Sequence, residues 1–139
     1  MTAATARSAS TAQHAVAHPV PCVIRVRGVM DLDHSAELSD ALRTGIELAH
    51  KERRTDPDLV VDLTHSSFCD SSGLGVLLQA RSAAADQGLT VRLAAPSHQM
   101  LRLLELTGIT EVFPLLPACP AAATVVAGRV VPATIGPSR

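Results

Sequence analysis

The chain contains 139 residues, of which 47% are hydrophobic and 1% aromatic, with no Trp or Tyr, and its net charge is −1. This length allows one domain with a modest core of Leu, Val, Ile and Ala. The scarcity of aromatic rings excludes a stacking platform for single-stranded nucleic acid, and the balanced charge excludes general affinity for DNA or RNA. We also expect a protein partner to be bound through aliphatic side chains and main chain, without aromatic anchors.

Residues 1–18 are rich in Ala, Ser and Thr and predict a flexible N-terminal arm, ahead of a domain over 19–117. The first strand is predicted within 20–29, where β-branched residues partly alternate with polar ones. A helix is predicted over 33–51, because apolar residues recur there on one face at helical spacing.

Strands and helices continue to alternate along the rest of the chain. The predicted elements are a strand at 58–63, a loop at 64–70, a helix at 72–87, a strand at 89–93, a helix between Ser97 and Gly108, a strand candidate at 109–116 and a loosely ordered tail at 118–139. Such an alternation predicts an α/β fold.

The segment Asp70-Ser71-Ser72-Gly73 lies where the predicted loop meets the helix at 72–87. A helix N-terminus offers free main-chain N–H groups and the positive end of the helix dipole, which favours a phosphate carried on a hydroxyl. Glycines at 73 and 75 would leave the first turn open to the backbone of another protein. The alternative is that Asp70 or Ser71 only caps the helix.

Patterns that would indicate an enzyme, a metal site or a cofactor are missing from the sequence. Ser71 is not framed by the glycines of a nucleophile elbow, and neither a nucleotide-binding glycine motif nor an H-E-x-x-H zinc motif occurs. We therefore predict no catalytic residue, no metal and no cofactor. Three cysteines without a C-x-x-C pair favour reduced thiols in the cytoplasm, and Cys69 is predicted to be a small buried residue. The absence of an 18-residue apolar run predicts no membrane span.

Several segments, in this order, resemble the STAS domain of anti-sigma factor antagonists. The resemblance extends over about 20–117 and is strongest around the serine turn. The segments that carry it are Gly28-Val29-Met30-Asp31-Leu32, Val60-Val61-Asp62-Leu63, Phe68-Cys69-Asp70-Ser71-Ser72-Gly73-Leu74-Gly75-Val76-Leu77, Ala95-Pro96-Ser97 and Leu103-Leu104-Glu105-Leu106-Thr107-Gly108-Ile109.

This resemblance implies a mixed sheet of four to five strands with helices mainly on one side. It implies that Ser71 is the phosphate acceptor and that Asp31 lies near it. The partner would be an anti-sigma factor with a histidine-kinase-like ATP-binding fold that is also the kinase, and a serine phosphatase would reset the switch. The residues implied to contact the partner are Asp31, Asp70, Ser72, Gly73, Leu74 and Gly75.

The sequence departs from the family pattern in three places, and the first is a candidate edge strand around 15–20 that Pro19 and Pro21 interrupt. Val29 stands where the family usually has Glu, and the prolines of 118–139 disfavour the C-terminal helix that commonly closes the domain. A second function therefore stays open. The same fold could serve as a scaffold subunit of a sensory complex, or as an accessory of a membrane-transport system, without a phosphate switch.

Overall fold

One sheet of five strands organises the residues described by the computed structural model, 20–52 and 57–130. The strands are β1 (Cys22–Met30), β2 (Asp58–Cys69), β3 (Thr90–Ala94), β4 (Leu115–Leu116) and β5 (Thr124–Val130). Their order across the sheet is β4-β3-β2-β1-β5. All four strand pairs in this part of the chain are parallel, which differs from the mixed pairing expected from the sequence.

Helices connect the strands in the alternation that the sequence predicts. A one-turn 3-10 helix at Leu32–His34 leads into α1 (Ser35–Glu52), and α2 (Ser71–Asp86) and α3 (His98–Thr107) follow β2 and β3. The α/β fold is therefore confirmed. Parallel neighbours need such crossover connections, because a tight turn joins only antiparallel strands.

The main core lies between one face of the sheet and the three helices. Alternate residues of the central strands, such as Ile24 and Val61, point into it and are fully buried. Leu42 of α1, Leu77 of α2 and Leu104 of α3 belong to the same cluster. Each such side chain contributes about 1.5–3 kcal/mol by leaving water. This arrangement confirms helices on one side of the sheet.

The opposite face of the sheet carries a second, smaller apolar cluster of Val23, Val60 and Ala94. Cys119 and Ala123 pack against this cluster, so the segment between β4 at one edge and β5 at the other crosses this face, against which none of the three described helices packs. The expectation of a loosely ordered tail over 118–139 is wrong for this part, since Thr124–Val130 pairs with β1. Valine-rich strands find partners through long-range contacts, which local periodicity does not reveal.

Two other elements differ from the sequence prediction. Residues 64–69, predicted as a loop from their polar side chains, extend β2 because the second half of β1 supplies them with a ladder partner. The strand predicted at 109–116 is reduced to Leu115–Leu116, preceded by turns that bury Phe113. The predicted N-terminal arm at 1–18 lies outside the described residues.

Candidate functional site

The candidate site lies at the carboxyl edge of the sheet, where β1 and β2 end side by side. Met30 pairs with Cys69 in the strand register, and the main-chain N–H of Asp70 donates to the Met30 carbonyl oxygen at 3.1 Å. Asp31 and Asp70 directly follow the paired residues, so both acidic residues leave neighbouring strand ends. In α/β sheets this edge is the usual place for a binding site.

Asp70 caps α2. Its backbone is extended, and its Oδ1 accepts hydrogen bonds from the main-chain N–H groups of Ser72 at 2.8 Å and Gly73 at 3.1 Å. A cap of this kind contributes about 1 kcal/mol. The sequence left open whether Asp70 or Ser71 performs this role, and the Asp70 carboxylate does. Ser71 is the first residue of the helix and is exposed to solvent.

Gly73 and Gly75 have different roles in the first turn of α2. Gly73 is buried against the end of β1, and a Cβ at this position would overlap the Met30 carbonyl group. Glycine is therefore required there so that helix and strand can approach each other. Gly75 is half-buried, and a Cβ at its position would meet nothing within 4 Å. It leaves open space beside the turn.

Leu74 is not a surface residue. Only 3% of it is exposed, and it belongs to the main core with Leu77. Its expected contact with a partner is therefore wrong for this conformation. Gly73 and Leu74 both lie on the buried side of α2, because the close approach of the helix to β1 turns that side toward the sheet.

Two large apolar side chains are instead exposed on the segments that flank the turn. Leu32, just after Asp31, is 69% exposed, and Phe68, two residues before Asp70, is 43% exposed. Phe68 pairs with Val29 near the end of β1, which places it at the same edge of the sheet. A partly exposed aromatic side chain therefore lies three residues before Ser71 in the chain.

Asp31 and His34 form a hydrogen-bonded pair at the start of the 3-10 turn. Asp31 Oδ1 accepts from the His34 main-chain N–H at 3.1 Å and lies 2.6 Å from His34 Nδ1. The hydrogen bond from the His34 side chain is the main cause that holds the pKa of Asp31 below its usual range. Sequence reasoning missed His34, although an Asp followed three residues later by His at a helix start is a visible signal.

Cys69 and Gln99 form a second contact that sequence reasoning missed. The Cys69 main-chain N–H donates to Gln99 Oε1 at 2.9 Å, and Gln99 Nε2 donates to the Cys69 carbonyl at 2.6 Å. The Cys69 thiol is buried, and burial, with a smaller contribution from the charge of Asp70, raises its pKa to about 12. The thiol is therefore protonated at neutral pH, in agreement with the prediction of a small buried residue.

Nothing in residues 20–52 and 57–130 gathers three or more His, Cys, Asp or Glu side chains as a metal site would. Within the same residues, each helix is too short or too polar to cross a membrane. The chemistry offered by the site is that of an exposed hydroxyl at a capped helix start, flanked by carboxylates and two apolar side chains.

Comparison with known proteins assigns this chain to a class. The sequence model of the family described as "Mlab, STAS domain" matches residues 14–117. The chain therefore belongs to the STAS domain family, which confirms the resemblance seen in the sequence.

The individual relatives have low sequence identity to this chain. An anti-sigma F factor antagonist of Paenibacillus polymyxa is 29% identical over 93 residues, which cover 67% of this chain and 75% of that protein. The anti-sigma factor antagonist SpoIIAA in its unphosphorylated form shares the fold, with a TM-score of 0.52 and 20% identity over 68% of this chain and 79% of that one. The Bacillus cell fate determinant SpoIIAA in the phosphorylated form gives a TM-score of 0.46 at 25% identity, over 67% and 79% of the two chains.

Proposed function

We propose that this protein is an anti-sigma factor antagonist whose binding to an anti-sigma factor is switched off by a phosphate on Ser71. The observation that carries the proposal is the exposed Ser71 at the capped start of α2, in a STAS domain with a relative named as such an antagonist. The unphosphorylated protein binds the anti-sigma factor and so frees the sigma factor.

The geometry of the cap explains how a phosphate would act. Asp70 already accepts from the N–H groups of Ser72 and Gly73, so those donors are not free for a phosphate on Ser71. The phosphate adds nearly two negative charges beside the Asp70 carboxylate. Such charge opposes burial in an interface, since a partner surface would have to desolvate it without pairing it. The switch needs no change of shape.

The partner surface that we propose is defined by Leu32, Phe68, Ser71 and Gly75. Leu32 and Phe68 supply exposed apolar area, and Gly75 leaves space for a close approach of another chain. Fully desolvated apolar anchors at the centre of an interface carry most of its binding energy. A phosphate on Ser71 would enter this surface, so a single modification could block it.

The proposed partner is an anti-sigma factor with a histidine-kinase-like ATP-binding fold that also phosphorylates Ser71, and a serine phosphatase reverses the reaction. In this proposal the protein acts in the cytoplasm as a regulatory binding module and catalyses no reaction itself. Cys69 and Cys119 are free thiols, which supports a reducing compartment.

The test uses the full chain, an anti-sigma factor kinase encoded beside it, and ATP. Mass spectrometry should find one phosphate on Ser71, and Ser71→Ala should abolish it, whereas the matched variant Ser72→Ala should keep it. Phosphorylated protein and Ser71→Asp should bind the anti-sigma factor at least about a hundredfold more weakly than the unmodified protein. Phosphorylation that persists in Ser71→Ala would contradict Ser71 as the acceptor. An affinity that does not change with phosphorylation would contradict the switch and favour a scaffold that does not switch.

A further inference from the structure

Gln99 replaces a missing strand neighbour at the end of β2. The pairing between β2 and β3 runs from Asp58 to Asp62 and stops there, because β3 ends at Ala94. Cys69, seven residues further along β2, therefore has no β3 partner for its main-chain groups. The side-chain amide of Gln99, in the first turn of α3, binds the N–H and the carbonyl of Cys69 at 2.9 and 2.6 Å.

A side-chain amide has the same donor and acceptor groups as a peptide, so it can bind both main-chain groups of one residue. On the other side of β2, the next N–H along the chain, that of Asp70, donates to the Met30 carbonyl. The main chain is thus held from both sides immediately before Ser71. Breaking the Gln99 side would leave the main-chain N–H and carbonyl of Cys69, a fully buried residue, without these hydrogen bonds, which is costly.

We propose that Gln99 is a positioning residue for the start of α2. It fixes the peptide of Cys69, which sets the direction in which Asp70 caps the helix and presents Ser71. This inference rests on the proposed function for its consequence, the rate at which Ser71 is phosphorylated. Its structural part concerns only the backbone of residues 69–73. Because Gln99 lies on α3, this helix then determines how accurately Ser71 is presented, although α3 does not belong to the partner surface.

The test compares Gln99→Met, which keeps the length of the side chain and loses both hydrogen bonds, with Gln99→Glu, which keeps an acceptor for the Cys69 N–H. Ser97→Ala is the matched control, because the Ser97 side chain caps α3 through the Met100 N–H at 3.1 Å, whereas the hydrogen bonds to Cys69 come from Gln99. This control weakens the same helix while keeping the Gln99 side chain that binds Cys69. Amide hydrogen exchange and phosphorylation of Ser71 are measured for each full-length variant.

In Gln99→Met we expect exchange at the Ser72 and Gly73 amides to rise about five- to tenfold, because the main chain before their acceptor Asp70 is then held only from the β1 side. Gln99→Glu should give a smaller rise and Ser97→Ala none. The kcat for phosphorylation of Ser71 should fall at least about fivefold in Gln99→Met with little change in KM, since Leu32 and Phe68 are untouched.

Equal exchange at Ser72 and Gly73 in Gln99→Met and Ser97→Ala would overturn the inference, because Gln99 would then act only through the stability of α3. A drop in phosphorylation of the same size in both variants would overturn it as well. If the wild-type protein accepts no phosphate, the proposed function fails. In that case amide exchange at Ser72 and Gly73 is the measurement that tests whether Gln99 positions the start of α2.

Discussion

Gly73 lies against the main-chain carbonyl of Met30, and a Cβ at position 73 would stand 2.7 Å from the Met30 carbonyl carbon and 2.8 Å from its Cβ. The contacting atoms belong to the backbone of Met30 and to its buried Cβ, and neither can move aside at low cost. The candidate site therefore depends on a glycine that holds α2 tightly against the end of β1. The serine turn and the strand end that precedes Asp31 are closely packed for this reason.

Gly73→Ala should destabilise the protein by about 2–4 kcal/mol, since α2 must shift away from β1 to accept a methyl group. Urea unfolding followed by circular dichroism measures the change. Gly75→Ala is the matched control, because a Cβ there meets nothing within 4 Å and alanine favours a helix by about 1 kcal/mol. We expect that variant to be as stable as the wild type or more so. Equal losses in the two variants would contradict the close approach at Gly73.

Leu32→Gln should weaken binding of the anti-sigma factor by about tenfold or more, because it removes exposed apolar area from the proposed partner surface. Phe68→Thr should have an effect of similar size. Leu106→Gln is the matched control, since Leu106 is 74% exposed, close to the 69% of Leu32, and lies on α3 outside that surface. Isothermal titration of the unphosphorylated proteins gives the affinities. A loss in Leu106→Gln as large as in Leu32→Gln would place the interface elsewhere.

Asp31→Asn should destabilise the protein at neutral pH and lose this effect in acid. Because the pKa of Asp31 is held below its ordinary value of 3.8 in the folded protein, its carboxylate stabilises the fold above that pH. The stabilisation disappears as the pH falls through the lower, folded-state pKa. Unfolding free energies of wild type and variant should therefore differ at pH 7 and converge below pH 3.8. In a His34→Ala background the difference at pH 7 should shrink, since the hydrogen bond from the His34 side chain is the largest cause of the lowered pKa of Asp31.

Cys119 should be the first thiol alkylated in the folded protein, because Cys22 and Cys69 are buried and Cys119 is half-buried. Burial, followed by the charge of Asp62 and a hydrogen bond with it, raises the pKa of Cys119, and Arg25 lowers that pKa. Asp62→Asn should therefore move the pH profile of iodoacetamide labelling at Cys119 to lower pH, and Arg25→Gln should move it to higher pH. Profiles that shift in the same direction would show that the variants act by loosening residues 117–123, not through charge.

Much of the fold could be predicted from the sequence because the relevant signals are local. The helix at 72–87 and the strand at 58–63 were predicted within a few residues of α2 and the first half of β2. Hydrophobic periodicity and capping residues act over a few positions, so they can be recognised in the sequence without knowing which strand or helix packs against the element. Residues 64–69 were missed, since their polar side chains resemble a loop and only pairing with β1 makes them a strand.

For the turn that carries Ser71, too, some features could be predicted from the sequence and others could not. Its position at a helix start was predictable, but the choice of Asp70 as the cap required the actual backbone angles. The burial of Leu74 and the exposure of Phe68 depend on how α2 meets β1, which no short window of sequence describes.

The alternation of strands and helices, the family and the turn that carries Ser71 follow from the sequence, because periodicity, caps and motif order are properties of neighbouring residues. The tertiary structure was needed to show that Thr124–Val130 joins the sheet beside β1 and that Gln99 holds the end of β2. Both depend on residues distant in sequence, brought together when the core closes. Such hydrogen bonds form where packing buries a main-chain N–H or carbonyl group that lacks a neighbouring strand. The position of that group depends on the whole fold.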